Sequence, residues 1–176
     1  MKKRLLLHIC CAPCSASAVE LLREEFDISF YWFNPNIYDD AEYANRKESA
    51  VRYAQELGIS FYEEDFSYDY GSWAEKSSEI CKNCYRLRLE KAAAFAKENK
   101  FDFFSTSLLS SPYQKHDSIR QISEEISKIY ETGFLYRDFR PKFYDGKNSL
   151  RKKGYYIQKY CGCRKSYHER FSGEKK

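Results

Sequence analysis

Apolar residues in the first half of the chain form short runs that alternate with stretches of helical spacing. The runs at 5–7, 28–33 and 59–62 fit buried strands. Between them, residues 16–22 and 40–56 place small or apolar side chains at helical intervals. This alternation of strand and helix predicts a parallel sheet with right-handed crossover connections.

The second predicted helix has a start, an inner face and an end that can be recognised in the sequence. Asp39 and Asp40 open this helix, and Gly58 follows it as a terminal glycine. We expect the helix to face the sheet with five small or apolar residues, which are Ala41, Ala44, Val51, Ala54 and Leu57.

The second half of the chain continues this pattern less regularly. A loop with a short helix at 72–77 is followed by a helix at 85–99, a fourth strand at 101–106 and a helix at 118–130. The expected fold is therefore α/β, with a parallel sheet of four to five strands and helices on both faces. With 176 residues and no evident linker or repeat, the chain is expected to form one domain.

The C-terminal end departs from the α/β pattern and is rich in basic residues. We expect an α/β core at 1–133 and an irregular basic segment at 134–176 that returns Cys161 and Cys163 to the other thiols. Residues 137–176 contain thirteen Lys or Arg and four acids, whereas the whole chain carries a net charge of only +4. This asymmetry suggests that a polyanion binds the C-terminal end, although such segments also serve solubility alone.

The composition excludes two classes of protein. With 43% hydrophobic and 32% charged residues, the chain fits neither a disordered protein nor a membrane protein. No apolar run approaches the roughly 18 residues of a membrane helix. The start of the chain resembles a signal peptide, but its apolar part is too short and is followed by His8 and thiols. We therefore expect a cytoplasmic protein.

All seven cysteines fall into three closely spaced groups. Clustered cysteines from distant parts of a chain of this size typically bind metal rather than form a disulfide framework. A structural zinc takes four thiolates, whereas seven are enough for an iron–sulfur cluster and a neighbouring site. The groups are Cys10, Cys11 and Cys14; Cys81 and Cys84; and Cys161 and Cys163.

The first cysteine group directly follows the first predicted strand and precedes a helix. Its sulfurs are expected at the carboxyl end of that strand, where open α/β sheets bind ligands, and over a helix N-terminus that favours thiolate. In an extended backbone, Cys10 and Cys11 would point to opposite sides, one to a cluster and the other to a second metal or the substrate. The common glycine-rich phosphate-binding patterns are absent from the sequence, so ATP and dinucleotide cofactors have no support.

Two further stretches carry candidate contact residues. Residues 107–116 gather hydroxyl groups, an amide and an imidazole after the fourth strand. Residues 138–143 alternate basic groups with aromatic rings and residues 148–153 add further basic groups, a combination that is typical of RNA binding but also fits a solvated basic loop. The basic residues expected to contact RNA phosphates are Arg151, Lys152 and Lys153.

Short motifs around the cysteines resemble those of one known family. The motifs are His8-Ile9-Cys10-Cys11-Ala12-Pro13-Cys14, Asn34-Pro35-Asn36-Ile37, Glu42-Tyr43, Cys81-x-x-Cys84-Tyr85-x-Leu87-Arg88-Leu89, Ser110-Ser111-Pro112-Tyr113-Gln114, Asp138-Phe139-Arg140 and Tyr160-Cys161-Gly162-Cys163. Together they resemble the cobalamin-independent epoxyqueuosine reductases, the QueH family, over nearly the whole chain.

The resemblance implies a fold, cofactors and a reaction. The fold would be of the adenine-nucleotide α-hydrolase-like (HUP) type, with a [4Fe–4S] cluster and an adjacent mononuclear iron. The reaction would be the last step of queuosine synthesis, in which the epoxide of epoxyqueuosine in tRNA is reduced to an alkene. The tRNA would bind through its anticodon stem-loop, whose splayed bases suit aromatic stacking, and an external donor would supply electrons.

The resemblance also leads to a hypothesis about individual residues. The cluster would be held by Cys161, Cys163, one of Cys81 and Cys84, and one of Cys10 and Cys11. The remaining thiols, with Cys14 as the first candidate, would hold the second iron. Residues considered for proton delivery or base contacts are Asp65, Tyr113, Gln114, His116 and Asp138.

Two other functions fit parts of the sequence. A thiol–disulfide oxidoreductase could use Cys11-x-x-Cys14 at a helix start, but this leaves the later cysteines without a role. A zinc-stabilised RNA-binding module would use the cysteines only for folding. Iron and acid-labile sulfide in protein purified without oxygen would distinguish the reductase from both alternatives.

Overall fold

Five parallel strands form a sheet at the centre of the protein. The structure is a computed structural model and describes residues 1–66 and 79–172. The strands are β1 (Lys3–His8), β2 (Phe26–Trp32), β3 (Phe61–Glu63), β4 (Phe103–Thr106) and β5 (Gly133–Phe134). Their order in the sheet is β3-β2-β1-β4-β5, which confirms the predicted α/β class.

Helices lie on both faces of this sheet, as predicted. They are α1 (Ala12–Leu22), α2 (Asp40–Leu57), α3 (Ile80–Glu98), α4 (His116–Tyr130), α5 (Phe143–Lys152) and α6 (Arg164–Phe171). On one face α1 packs against α2 and α5, and on the other α3 packs against α4. This arrangement follows from right-handed crossovers, because the chain winds outward from β1 to β3 in one direction and then from β4 to β5 in the other.

The central strand β1 explains the apolar run at the start of the chain. Leu5, Leu6 and Leu7 are fully buried because β1 pairs with β2 on one side and β4 on the other, with helices above and below. A parallel strand covered on both faces has no solvent side, so its sequence is continuously apolar rather than alternating. The run therefore predicts the position of β1 well.

The order of the strands places a crevice at the carboxyl end of β1. The chain leaves β1 toward β2 on one side and reaches β4 on the other, so the direction of winding reverses between β1 and β4. In open α/β sheets, ligands bind outside the carboxyl ends of the strands at such a reversal. Residues 9–11, which link β1 to α1, lie at this point.

The face that α2 buries differs from the predicted one. Of the five residues expected to point inward, only Ala54 is buried. The helix instead buries Glu42 and Arg46, whose side chains form an ion pair with an N···O distance of 2.6 Å. The prediction failed because it assigned burial by apolarity, whereas these two charges are buried through their pairing with each other and with the C-terminal segment.

The C-terminal segment contains more regular structure than the sequence predicts. Helix α5 lies within residues predicted to be irregular, and it packs on α1 through the small residue Gly146. A β-carbon at Gly146 would approach the backbone nitrogen of Ser17 to 3.0 Å. The short helix predicted at 72–77 lies outside the described residues. None of the described helices has the length and apolarity to span a membrane.

Candidate metal centre

The first cysteine group forms a compact triad of sulfur atoms. The Sγ atoms of Cys10, Cys11 and Cys14 all lie within 4.8 Å of one another, and all three residues are buried. Cys11 is the N-cap of α1 and accepts a hydrogen bond from the backbone N–H of Cys14 at 3.4 Å. The free backbone N–H groups at a helix N-terminus stabilise a nearby thiolate. This local structure therefore favours binding of a metal by the cysteine sulfurs.

The expectation that Cys10 and Cys11 point to opposite sides is wrong. Their Sγ atoms are only 4.0 Å apart. The strand ends at His8, so the alternation of side chains in a strand no longer applies two residues later. The capping role of Cys11 turns its sulfur toward the start of α1, on the side where the Cys14 side chain also lies.

The triad has dimensions that suit a single metal ion. Three thiolates bound to one tetrahedral ion at about 2.3 Å lie about 3.8 Å from one another. The observed sulfurs need only small side-chain rotations to reach this spacing. Among the described residues, no other group of three or more His, Cys, Asp or Glu brings all of its ligand atoms within 4.8 Å.

The other four cysteines form a second, looser group. Cys81 and Cys84 lie in the first turn of α3, and Cys161 and Cys163 precede α6. Cys163 raises the pKa of the Cys161 thiol, and both residues interact electrostatically with Cys84. A group of thiols that is wider than the triad suits a cluster, in which each thiolate binds a different iron atom.

The segment that carries Cys161 and Cys163 is held in place by contacts to the loop before α2 and to α2 itself. The buried guanidinium of Arg46 donates to the carbonyl oxygens of Tyr160 and Cys161 at 2.9 and 3.1 Å. Asn36 also donates to the carbonyl of Cys161, at 3.4 Å. These bonds fix the backbone of the last cysteine group against residues that lie more than a hundred positions earlier.

Two amide side chains join the cysteine groups to the rest of the pocket. Gln114 Nε2 lies 3.5 Å from Cys161 Sγ, and Gln114 Oε1 accepts a hydrogen bond from the Tyr85 hydroxyl at 2.7 Å. Gln158 Nε2 lies 2.6 Å from Cys11 Sγ and 3.6 Å from Cys14 Sγ. The C-terminal segment thus reaches the triad through Gln158.

The protonation of the triad is shared among its three sulfurs. Hydrogen bonds from Cys11 and Cys14 lower the pKa of the Cys10 thiol well below its usual value. Burial raises the pKa of Cys11, and the hydrogen bond to Cys10 raises the pKa of Cys14. The metal-free pocket therefore favours one thiolate stabilised by two thiols, and a bound cation would displace the two remaining protons.

Two buried arginines surround the sulfurs with positive charge. Arg46 interacts with Cys10 and Cys11, and Arg88 with Cys84, Cys161 and Cys10. Both guanidinium groups belong to residues only 1% exposed. Soft thiolates at this density, compensated by buried cations, fit zinc or iron–sulfur chemistry and not a hard cation such as Mg²⁺.

Comparison with known proteins assigns the chain to a family. The model of the family described as epoxyqueuosine reductase QueH matches residues 5–169. The chain belongs to the QueH family. A relative named epoxyqueuosine reductase QueH from Dehalococcoides mccartyi is 34% identical over 175 residues, which cover 97% of this chain and 96% of the relative. A relative of the same name from Acinetobacter baylyi is 34% identical over 174 residues, covering 91% and 78% of the two chains.

A solved structure supports the fold. A deacetylase crystallised in complex with teicoplanin is similar with a TM-score of 0.50, at 10% sequence identity, over 86% of each chain. At this identity the likeness concerns the fold alone. The strand order and the helices on both faces agree with the HUP-type fold that the QueH family implies.

The structure brings only some of the predicted polar residues of this QueH-family chain to the sulfurs. Gln114 contacts Cys161, whereas Tyr113 is 78% exposed and packs edge-on against Phe143. His116 begins α4, and its Nε2 lies 3.2 Å from the carbonyl of Ser111. Burial lowers the pKa of the His116 imidazole.

The two predicted aspartates lie away from the described cysteine contacts. Asp138 is paired with Arg140, and this ion pair lowers the pKa of the Asp138 carboxyl. Asp65 is exposed just after β3. Among the described residues, neither carboxylate has a hydrogen bond to a cysteine.

Three residues of the pocket were missed by sequence reasoning as site residues. Tyr85 and Arg88 belong to a motif that carried the resemblance, but nothing in a single sequence shows that their side chains face the sulfurs. Gln158 lies three residues before Cys161, and this proximity is the one signal that could have marked it. Their contacts depend on how α3 and the C-terminal segment pack, which is a tertiary property.

The predicted phosphate contacts lie at the opposite edge of the sheet from the cysteines. Lys153 pairs with Glu56, and Arg52 donates to the Lys153 carbonyl. Glu56 lies in the last turn of α2, which leads into the amino end of β3. Arg151 and Lys152, the two residues just before Lys153, therefore share this edge, and their contact with RNA phosphates stays a prediction.

Proposed function

We propose that this chain reduces the epoxide of epoxyqueuosine in tRNA to the alkene of queuosine. The reaction consumes two electrons and two protons, and the epoxide oxygen leaves as water. The observation that carries the proposal is a buried triad of thiols whose Cys10 shares one buried arginine, Arg88, with Cys84 and Cys161 from the two other cysteine segments of this QueH-family chain.

The spacing of the sulfurs favours a division of the cysteines between two metal sites. We assign the [4Fe–4S] cluster to the looser group, which is Cys81, Cys84, Cys161 and Cys163. We assign the mononuclear iron to the triad, which is Cys10, Cys11 and Cys14. This revises the sequence-based hypothesis, in which the cluster takes one of Cys10 and Cys11, because those two sulfurs lie with Cys14.

The protein prepares the pocket for the transfer of electrons and protons. When bound, the cluster supplies electrons one at a time and the neighbouring iron supplies a Lewis acid. The buried guanidinium groups of Arg46 and Arg88 balance the negative charge of the thiolates. Burial of the triad excludes water, which strengthens these electrostatic interactions.

A short hydrogen-bonded chain orients a donor group beside Cys161. The Tyr85 hydroxyl donates to Gln114 Oε1 and accepts from the backbone N–H of Lys115 at 3.2 Å. Burial raises the pKa of Tyr85, so the hydroxyl keeps its proton at neutral pH. Gln114 connects this hydroxyl to the neighbourhood of Cys161. We assign to Tyr85 the orientation of the Gln114 amide, and to Gln114 a hydrogen bond from Nε2 toward the sulfur of Cys161.

The tRNA would approach the carboxyl edge of the sheet. Tyr113 offers an exposed aromatic ring beside Gln114, and bases extruded from an anticodon loop stack on such rings. Exposed Lys115 and Lys159 flank residues that contact Cys161 and Cys11. These features support an anticodon stem-loop as the partner, and an external donor is needed for the two electrons.

Anaerobic turnover tests the proposal. Wild-type protein, a chemical reductant and tRNA that contains epoxyqueuosine should yield queuosine, seen by mass spectrometry of the digested tRNA as the loss of one oxygen atom. Cys161→Ala should lose both the cluster absorbance and turnover, whereas Cys14→Ala should keep the cluster absorbance and lose turnover. Ser123→Ala, which removes one buried polar atom from α4, is the matched control and should retain both.

The outcomes separate the three candidate functions. A colourless protein with stoichiometric zinc and no product would favour the RNA-binding module. Reduction of a disulfide substrate without any iron would favour the thiol–disulfide oxidoreductase. Full cluster absorbance in Cys161→Ala would contradict the assignment of Cys161 to the cluster.

A further inference from the structure

Arg88 is a buried cation whose hydrogen bonds are incomplete. The residue is 1% exposed, and its Nε donates to the carbonyl oxygen of Cys84 at 3.2 Å. Neither Nη1 nor Nη2 has a hydrogen-bond partner among the residues that the structure describes. Two donor groups of one guanidinium are thus directed into the interior without an acceptor.

Arg46 shows how the same fold satisfies a buried arginine. It is equally buried, but its Nε donates to Glu42, and its two Nη groups donate to the carbonyls of Cys161 and Tyr160. A buried charge without hydrogen-bond partners is costly, because it has lost its water without replacement. The missing acceptors at Arg88 therefore indicate an anion that binds there.

The neighbours of Arg88 indicate the chemistry of that anion. The groups that interact electrostatically with its guanidinium include the thiols of Cys84, Cys161 and Cys10, the hydroxyl of Tyr85 and the buried imidazole of His8. Arg88 has no salt bridge to a carboxylate within residues 1–66 and 79–172. The acceptor must therefore lie among the sulfurs, and it must carry negative charge.

We infer that Arg88 donates its two unpaired Nη groups to the iron–sulfur cluster and raises the reduction potential of that cluster. This inference rests on the proposed function, since it requires the cluster. A cluster with four thiolate ligands is anionic and gains a further negative charge on reduction. A fixed positive charge and hydrogen bonds to its sulfur atoms favour the reduced state, and both raise the potential. Arg88 is thus a positioning and electrostatic residue and does not touch the substrate.

A redox titration with matched variants tests the inference. The variants are Arg88→Met, which removes the charge and the donors, and Arg88→Lys, which keeps the charge without the planar fork. The control is Arg86→Met on the same helix, because Arg86 is 41% exposed and pairs with Glu125. Titration monitored by EPR in anaerobic, iron-loaded protein should give a lower potential for Arg88→Met, a smaller decrease for Arg88→Lys, and no change for Arg86→Met.

The unfolding temperature of the metal-free protein provides a second measurement. A purely structural role of Arg88 would shift it in the opposite direction. Without the cluster, Arg88 is a buried charge with unpaired donors, so Arg88→Met should raise the unfolding temperature of the metal-free protein. If Arg88 served only to hold α3 in place, the same substitution would lower it. Circular dichroism of each variant verifies that the fold is retained.

The results for the Arg88 variants test the role of Arg88, and the iron content of the wild-type protein tests the proposed function. Loss of iron from Arg88→Met with retention in Arg88→Lys also supports it, because the charge would then be needed to hold the cluster. The inference would be overturned if Arg88→Met had the same iron content and the same cluster reduction potential as Arg86→Met. Loss of iron from both Arg88 variants, with lower unfolding temperatures of their metal-free forms, would overturn it as well. A wild-type protein without iron would instead remove the proposed function.

Discussion

Gly162 brings the last two cysteines close to the loop between β2 and α2. Its φ angle is +114°, a conformation that L-residues rarely adopt. A β-carbon at this position would lie 2.9 Å from Ile37 Cγ1 and 3.3 Å from Arg46 Nη1. Both the backbone angle and the close approach therefore require glycine, which agrees with the expectation that a residue without a side chain lets this segment pack tightly.

Substitution of Gly162 should destabilise the metal-free protein and weaken iron retention. Gly162→Ala should cost at least about 2 kcal/mol of unfolding free energy, from backbone strain and overpacking together. Gly154→Ala is the control, since Gly154 has a φ of +73° but no atom of the described residues lies within 4 Å of an added β-carbon. That control should cost about 1 kcal/mol. Urea denaturation measures both, and equal losses would refute the steric explanation.

Single residues also show what the sequence could and could not predict about the site. The cysteines were predictable because their spacing and residue type indicate metal ligation without knowledge of the fold. Arg88 and Gln158 were not, because an arginine in a helix and a glutamine before a cysteine pair look like surface residues. Only the packing of α3 and the C-terminal segment turns these side chains toward sulfur.

At the scale of elements, α2 anchors the C-terminal segment through buried charge. Arg46 and Glu42 lie one turn apart on its inner face, and Glu42 also accepts a hydrogen bond from the Tyr156 hydroxyl. Arg46 continues the network to the backbone around Cys161. The helix thus connects the sheet to the last cysteine pair, a function that its apolar pattern does not reveal.

Removal of Arg46 should therefore destabilise the protein strongly. Arg46→Met leaves Glu42 as an unpaired buried charge and should cost about 3 to 5 kcal/mol of unfolding free energy. The control Arg120→Met breaks the ion pair with Glu124, whose two side chains are at least half exposed, and should cost less than about 1 kcal/mol. Denaturation of the two metal-free variants under identical conditions gives the comparison. A similar small loss in both would contradict the anchoring role.

The predictability of the elements follows from how each is buried. β1 was predictable because a continuous apolar run has one simple interpretation, whereas α1 begins at Ala12, before the helical spacing that the sequence shows from residue 16. Helix α5 was missed because only Phe143, Gly146 and Leu150 are buried, and glycine within a basic stretch suggests a loop. The inner face of α2 was missed because a buried pair of charges, Glu42 and Arg46, shares it with Ala50, Tyr53 and Ala54.

At the scale of the whole molecule, basic residues are present at both edges of the sheet. Lys115 and Lys159 lie beside the pocket, whereas Arg151 and Lys152 lie at the opposite edge near the end of α2. The excess of basic residues in the C-terminal sequence therefore does not form one surface. The charge pattern predicted that a polyanion binds. Only the fold shows which basic residues lie beside the pocket and which lie at the opposite edge of the sheet.

Charge reversal at the two edges should affect tRNA binding differently. Lys115→Glu with Lys159→Glu should weaken binding and lower the slope of log K against log salt by about two, because two phosphate contacts are lost. Arg151→Glu with Lys152→Glu changes the net charge equally and should have a much smaller effect on both. Titration of labelled tRNA at several salt concentrations measures affinity and slope. Equal effects of the two double variants would show that the RNA does not select the carboxyl edge.

The central claim is that sulfur atoms from three segments of this chain hold iron for a reductive reaction. The most direct test is the iron and acid-labile sulfide content of wild-type protein purified without oxygen. We expect about five irons and four sulfides per chain, as one cluster and one further iron require. Protein that contains zinc in their place, or no metal at all, would contradict it.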